Sequence, residues 1–105
     1  MAEIVSAREV TELLRKVNAG AVEIVHADPQ QLWKSAFAGD IEFLAAGYRL
    51  VFFNDCAELD YVDHVIAPDG RKGTFNDWFA KGEAPLELLR KSERAALEEK
   101  LEEAR

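Results

Sequence analysis

Apolar and polar positions change period along the chain, and the changes mark its elements. Over residues 6–19, Val10, Leu13, Leu14 and Val17 recur at helical spacing, the signature of one buried helix face. Ser6-Ala7-Arg8-Glu9 opens this segment as a capping box, with Ser6 accepting from an early amide and Glu9 reaching back. Gly20 stands where a left-handed residue ends a helix. Residues 22–27 are short and rich in β-branched side chains, which predicts a strand. Asp28-Pro29-Gln30-Gln31 then reads as a helix start, with Asp28 as the cap and Pro29 in the first turn. Leu32, Trp33, Ala36 and Phe37 supply the apolar stripe of that second helix, which runs toward Gly39.

The period next falls to two. Ile41, Phe43 and Ala45 alternate with their neighbours, Ala46-Gly47 interrupts, and Tyr48 to Phe53 follows, which predicts a β-hairpin. Leu59 to Ile66 reads as a further strand, and Ala67-Pro68-Asp69-Gly70 as a turn into a return strand near residues 72–75. Asn76 is the expected cap of a short turn through Asp77-Trp78-Phe79 closed by Gly82, and Pro85 opens a helical C-terminal segment that Ser92 divides. Adjacent hairpins imply an antiparallel sheet. The expected fold is α+β: about four or five antiparallel strands packed against N-terminal, middle and C-terminal helices, in a single domain over residues 1–105.

Composition narrows the function classes. The chain has 105 residues, with 20 acidic and 13 basic side chains and a net charge of −7. Nucleic-acid binding needs a surface with excess Lys and Arg, so no nucleic-acid partner is expected. Residues 40–70 carry Asp40, Glu42, Asp55, Glu58, Asp60, Asp63 and Asp69 against Arg49 alone, so −6 of the net charge falls there. No basic N-terminal region precedes an apolar stretch, and no apolar run approaches the ~20 residues of a membrane span. The single cysteine, Cys56, cannot form an internal disulfide, and a reducing, cytoplasmic location is expected.

Phe53-Asn54-Asp55-Cys56, Leu59-Asp60-Tyr61-Val62-Asp63 and Pro68-Asp69-Gly70-Arg71 combine with Phe75, Asp77-Trp78, Gly82, Pro85 and Leu88-Leu89. Together they resemble a family of small bacterial proteins with a domain of unknown function, found largely in pseudomonads. The resemblance runs from Ala7-Arg8-Glu9-Val10 to the C-terminal helix. It implies a small cytoplasmic bacterial protein and carries over no reaction, cofactor or catalytic residue.

Candidate chemistry concentrates on Asp55, Cys56, Asp60, Asp63, His64 and Trp78. In a regular strand Asp60 and His64 share a face, and a carboxylate beside an imidazole can hold a divalent metal or orient a base. The competing reading is a solvated acidic strand. Cys56 with His64 or His26 has the residue types of a nucleophilic dyad, but acidic neighbours raise a thiol pKa and oppose it. Phe52-Phe53 and Trp78-Phe79 are consecutive aromatics, so one of each pair can lie outside the core as a partner anchor. Most of the aromatic set Trp33, Phe37, Phe43, Tyr48, Phe52, Phe53, Tyr61, Phe75, Trp78 and Phe79 is expected in the core. Asp69-Gly70-Arg71-Lys72-Gly73 lacks the spacing of a phosphate loop and reads as a hairpin turn, and His26 reads as a strand-end residue. The expected function is therefore a non-catalytic, cofactor-free interaction module for a protein partner, plausibly basic. The alternative is a metal-binding or Cys/His-dependent small enzyme centred on Cys56, Asp60, Asp63 and His64.

Overall fold

The computed structural model describes residues 4–35, 38–56 and 58–105. Helix α1 (Ala7–Asn18) is followed by β1 (Ile24–His26), β2 (Ala38–Ala45), β3 (Tyr48–Asp55), β4 (Glu58–Ile66) and β5 (Lys72–Thr74). Then come α2 (Phe75–Ala80), α3 (Pro85–Leu88) and α4 (Lys91–Glu103). The strands form one antiparallel sheet in the order β1-β2-β3-β4-β5. The fold is α+β, as the pattern of periods predicts.

Alternation sorts the sheet residues into two faces. Ile24, Ile41, Phe43, Ala45, Leu50, Phe52, Leu59, Val62 and Val65 lie on the core side, in one cluster with Val10, Leu14 and Val17 of α1 and Leu97 and Leu101 of α4. The opposite face carries Asp40, Glu42, Arg49, Val51, Phe53, Tyr61, His64 and Ile66, none of which joins that cluster. Helices α1 and α4 therefore stand on one side of the sheet. Ala46 and Gly47, at φ 51° and 82°, close the β2–β3 hairpin, the two-residue geometry whose twist matches the strands.

The second predicted helix does not form. Residues 33–35 make one 3₁₀ turn, and β2 begins at Ala38. The Asp28 carboxylate accepts the Gln30 amide 2.9 Å away, closing a tight turn instead of capping a helix. The Trp33 amide is drawn to Nε2 of His26, also at 2.9 Å, and Leu32 is 41% exposed rather than part of a buried stripe. The predicted stripe positions Ala36 and Phe37 lie outside the described residues.

Three caps also differ from the sequence pattern. Ser6 accepts the Glu9 amide at 3.1 Å, but the Glu9 carboxylate does not reach back. It takes two bonds from the Arg71 guanidinium, at 3.0 and 2.9 Å, and one from the Tyr48 hydroxyl, at 2.6 Å. A long-range charged partner outcompetes the local amide. Thr74, not Asn76, caps α2, in a reciprocal box with Asp77. The C-terminal segment divides at the extended residues Leu89 and Arg90, just before Ser92, and the Glu93 carboxylate accepts the Arg90 amide at 2.8 Å.

Candidate functional site

Strand β4 decides where the candidate side chains go. Its pairing with β3 slips twice. Phe53 and Asn54 pair with Tyr61 and Leu59, leaving Asp60 over, and Val51 and Phe52 pair with His64 and Val62, leaving Asp63 over. Each extra residue is a bulge, which bends the strand and re-aims side chains. Asp60 and His64 are thus not simple same-face neighbours. Asp60 is exposed and borders a cavity beside α3. His64 looks across the open face toward Asp40, whose carboxyl is pushed up by burial and then by the Asp63 charge. Asp63 and His64 would point to opposite faces of a regular strand. Here the bulge brings them together, with Nδ1 of His64 2.8 Å from the Asp63 carboxylate.

Asp55 and Cys56 are exposed at the far end of the β3–β4 hairpin. His64 pairs with Val51, four residues back along β3, roughly 13 Å away at ~3.3 Å per residue. The structure does not assemble a Cys56–His64 dyad. The thiol, at a residue with φ 53°, is pushed up by residual desolvation and by the Asp55 carboxylate, which disfavours the thiolate. His26 is committed elsewhere. Its Nε2 accepts the Trp33 amide, and its Nδ1 lies 3.2 Å from the Arg105 carbonyl. Among the described residues, no group of three or more His, Cys, Asp or Glu side chains converges to hold a metal ion.

Trp78 is a core residue, not a site residue. It is 2% exposed, and its indole N–H donates to the Val5 carbonyl at 2.8 Å. Helical geometry sends its neighbour the other way, so Phe79 is 68% exposed. Phe75 and Phe79 lie four apart on α2, which places them on one helix face. They extend a row of rings begun on the sheet. Phe53 stacks on Tyr61 at 5.1 Å, Tyr61 meets Phe75 at 4.8 Å, and Phe75 stacks on Phe79 at 5.6 Å. Of the consecutive pair Phe52-Phe53, Phe52 is in the core and Phe53 is in the row.

The row lies in a negative field. The Tyr61 hydroxyl is pushed up by burial and by the charges of Asp63, Asp40 and Asp60. Asp40, Glu42 and Glu58 share this face with Arg49, which is paired to Glu42 at 3.4 Å, and with Lys72. The sequence signal for the row was available in the alternation of Val51 with Phe53 and in the spacing of Phe75 and Phe79. What hid it was the expectation that Tyr61 and Phe75 belong to the core.

No curated protein and no solved structure matches the chain. The model of one family, described as Domain of unknown function (DUF7693), matches residues 4–103, nearly the whole chain, and the protein belongs to that family.

Proposed function

We propose that the protein is a non-catalytic interaction module whose sheet face opposite α1 and α4 docks a basic segment of a partner protein. The observation that supports this most is the aromatic row Phe53–Tyr61–Phe75–Phe79 set among Asp40, Glu58, Asp60 and Asp63. Rings give a partner apolar contact and face-on attraction for cations. Carboxylates beside them steer a cationic chain and repel an anionic one, including nucleic acid. A second copy of the same acidic face is disfavoured for the same reason. The reading extends to a small bacterial protein of the cytoplasm, supported by the single cysteine and by the resemblance of the β3–β4 and turn residues.

The test is titration of isotopically labelled protein with an acetylated, amidated hexa-lysine peptide, followed by amide chemical shifts. Shifts should map to Phe53, Tyr61, His64, Phe75 and Phe79. They should fade when ionic strength rises from about 0.05 M to about 0.5 M, where the Debye length is only a few ångströms. Phe79→Ala should weaken binding several-fold while the protein stays folded. Absence of binding, or shifts confined to α1 and α4, would overturn the proposal.

A further inference from the structure

Strand β5 covers β4 only at His64–Ile66. No other backbone hydrogen bond reaches Asp60–Val62 from outside the β3–β4 ladder among the described residues. That stretch of β4 is a sheet edge unpaired by a further strand. The chain then passes alongside it through α2 and α3 and leaves a cavity of about 260 Å³ lined by Asp60, Tyr61, Phe75, Pro85, Glu87 and Arg94, among others. Asp60, the residue that the bulge leaves out of the ladder, is exposed and lines the cavity. The volume lies below the ~300–1,000 Å³ of pockets that enclose whole drug-sized ligands and suits a single long side chain.

We propose that this cavity receives an arginine side chain of the docked partner and anchors it on the sheet face. The inference rests on the docking reading above and names the residue type that the dock selects. Tyr61 and Phe75 supply ring walls, 4.8 Å apart between centroids and tilted by 45°. Asp60 and Glu87 are exposed and make no ion pair within 4 Å among the described residues. Arg94 also lines the cavity, exposed and in no ion pair within 4 Å among the described residues, so two carboxylates face one cation and the lining carries a net charge of −1. The site therefore offers acceptors and aromatic faces together. A guanidinium is planar, carries five donors in a fixed fork, stacks on rings and is weakly hydrated, whereas an ammonium is compact and strongly hydrated. The guanidinium satisfies carboxylates and rings in one placement.

The experiment compares acetylated, amidated hexa-arginine with hexa-lysine at one low ionic strength by calorimetry. Hexa-arginine is expected to bind about tenfold tighter, the increment that stacking and bidentate bonding supply. Glu87→Gln should weaken hexa-arginine about fivefold or more and leave hexa-lysine within about twofold, whereas Asp60→Asn, which also removes a charge of the docking face, should weaken both peptides and hexa-arginine the more. Asp63→Asn, on the same strand outside the cavity, should shift both peptides alike. Equal affinity for the two peptides, or equal loss of both in Glu87→Gln, would overturn the anchor site and leave the docking face standing. If neither peptide binds, both readings fall.

Discussion

Trp78 and Phe79 are adjacent in the chain, and the structure assigns them opposite work. Trp78 is 2% exposed, donates to the Val5 carbonyl at 2.8 Å and lies so close to Gly73 that a Cβ there would come within 2.9 Å of its ring. Replacing Trp78 by Phe removes the indole donor and leaves the buried Val5 carbonyl unpaired, at about 1–3 kcal/mol. The smaller ring also leaves a void, which brings the expected total to about 2–4 kcal/mol. For a domain of this size about 1 kcal/mol moves Tm by roughly 4–8 °C, so Trp78→Phe should lower it by at least about 8 °C. Phe79 is 68% exposed and touches Phe75 across 5.6 Å. Phe79→Ala should therefore stay within about 0.5 kcal/mol of the parent. Guanidinium unfolding followed by intrinsic fluorescence and far-ultraviolet circular dichroism measures both. The peptide titration then reads the second half of the contrast, because Phe79→Ala should lose affinity at unchanged stability. A Phe79→Ala cost above about 1.5 kcal/mol, or a Trp78→Phe cost below about 0.5 kcal/mol, would refute the division of labour between core and surface.

The remaining predictions concern the contacts that hold the fold and the reactivity of Cys56. The Arg71 guanidinium and the Tyr48 hydroxyl hold the Glu9 carboxyl below its ordinary range, and Arg71 does the same to Asp69. A depressed folded value means that stability is present in full above the ordinary carboxylate range and is lost as pH falls through the folded value. Acid unfolding of Glu9→Gln should accordingly show a shallower pH dependence than the parent. His26→Phe keeps a ring against Phe43, now 4.4 Å away, but strips the buried Trp33 amide of its acceptor. It should cost about 1–3 kcal/mol in denaturant unfolding, and a neutral outcome would contradict the latch. Gly73→Ala sets a Cβ 2.4 Å from the Val5 carbonyl oxygen, so it should destabilise more than Gly70→Ala, whose Cβ meets nothing within 4 Å but whose φ of 92° is itself strained. Thiol labelling of Cys56 should accelerate at neutral pH in Asp55→Asn, because the carboxylate that raises the thiol value is gone.

Local physics was legible where one residue's neighbours decide the outcome. Helical spacing marked α1, period two marked β2 and β3, and the Pro68-Asp69-Gly70 turn marked the β4–β5 connection. Asp28 shows where local rules stop. Its capping pattern is sound, yet the Trp33 amide found a buried histidine acceptor from β1, and a single 3₁₀ turn replaced the helix. Glu9 shows the same competition, since Arg71, 62 residues away, displaced the local amide as its partner.

By itself the chain determined an α+β fold, a concentration of acid between residues 40 and 70, and two consecutive aromatic pairs from each of which one ring can lie outside the core. Tertiary structure alone decided which of them meet. Strand parity assigns faces only while the ladder stays in register, and register is a property of two strands together. The bulges at Asp60 and Asp63 arise from pairing with β3, and they part Asp60 from His64 while joining Asp63 to it. The same pairing lines up Phe53 with Tyr61, and the docking of α2 adds Phe75 and Phe79 to the row. Such contacts between distant segments are set by the whole packed chain, so the local spacing of each ring does not say which rings meet.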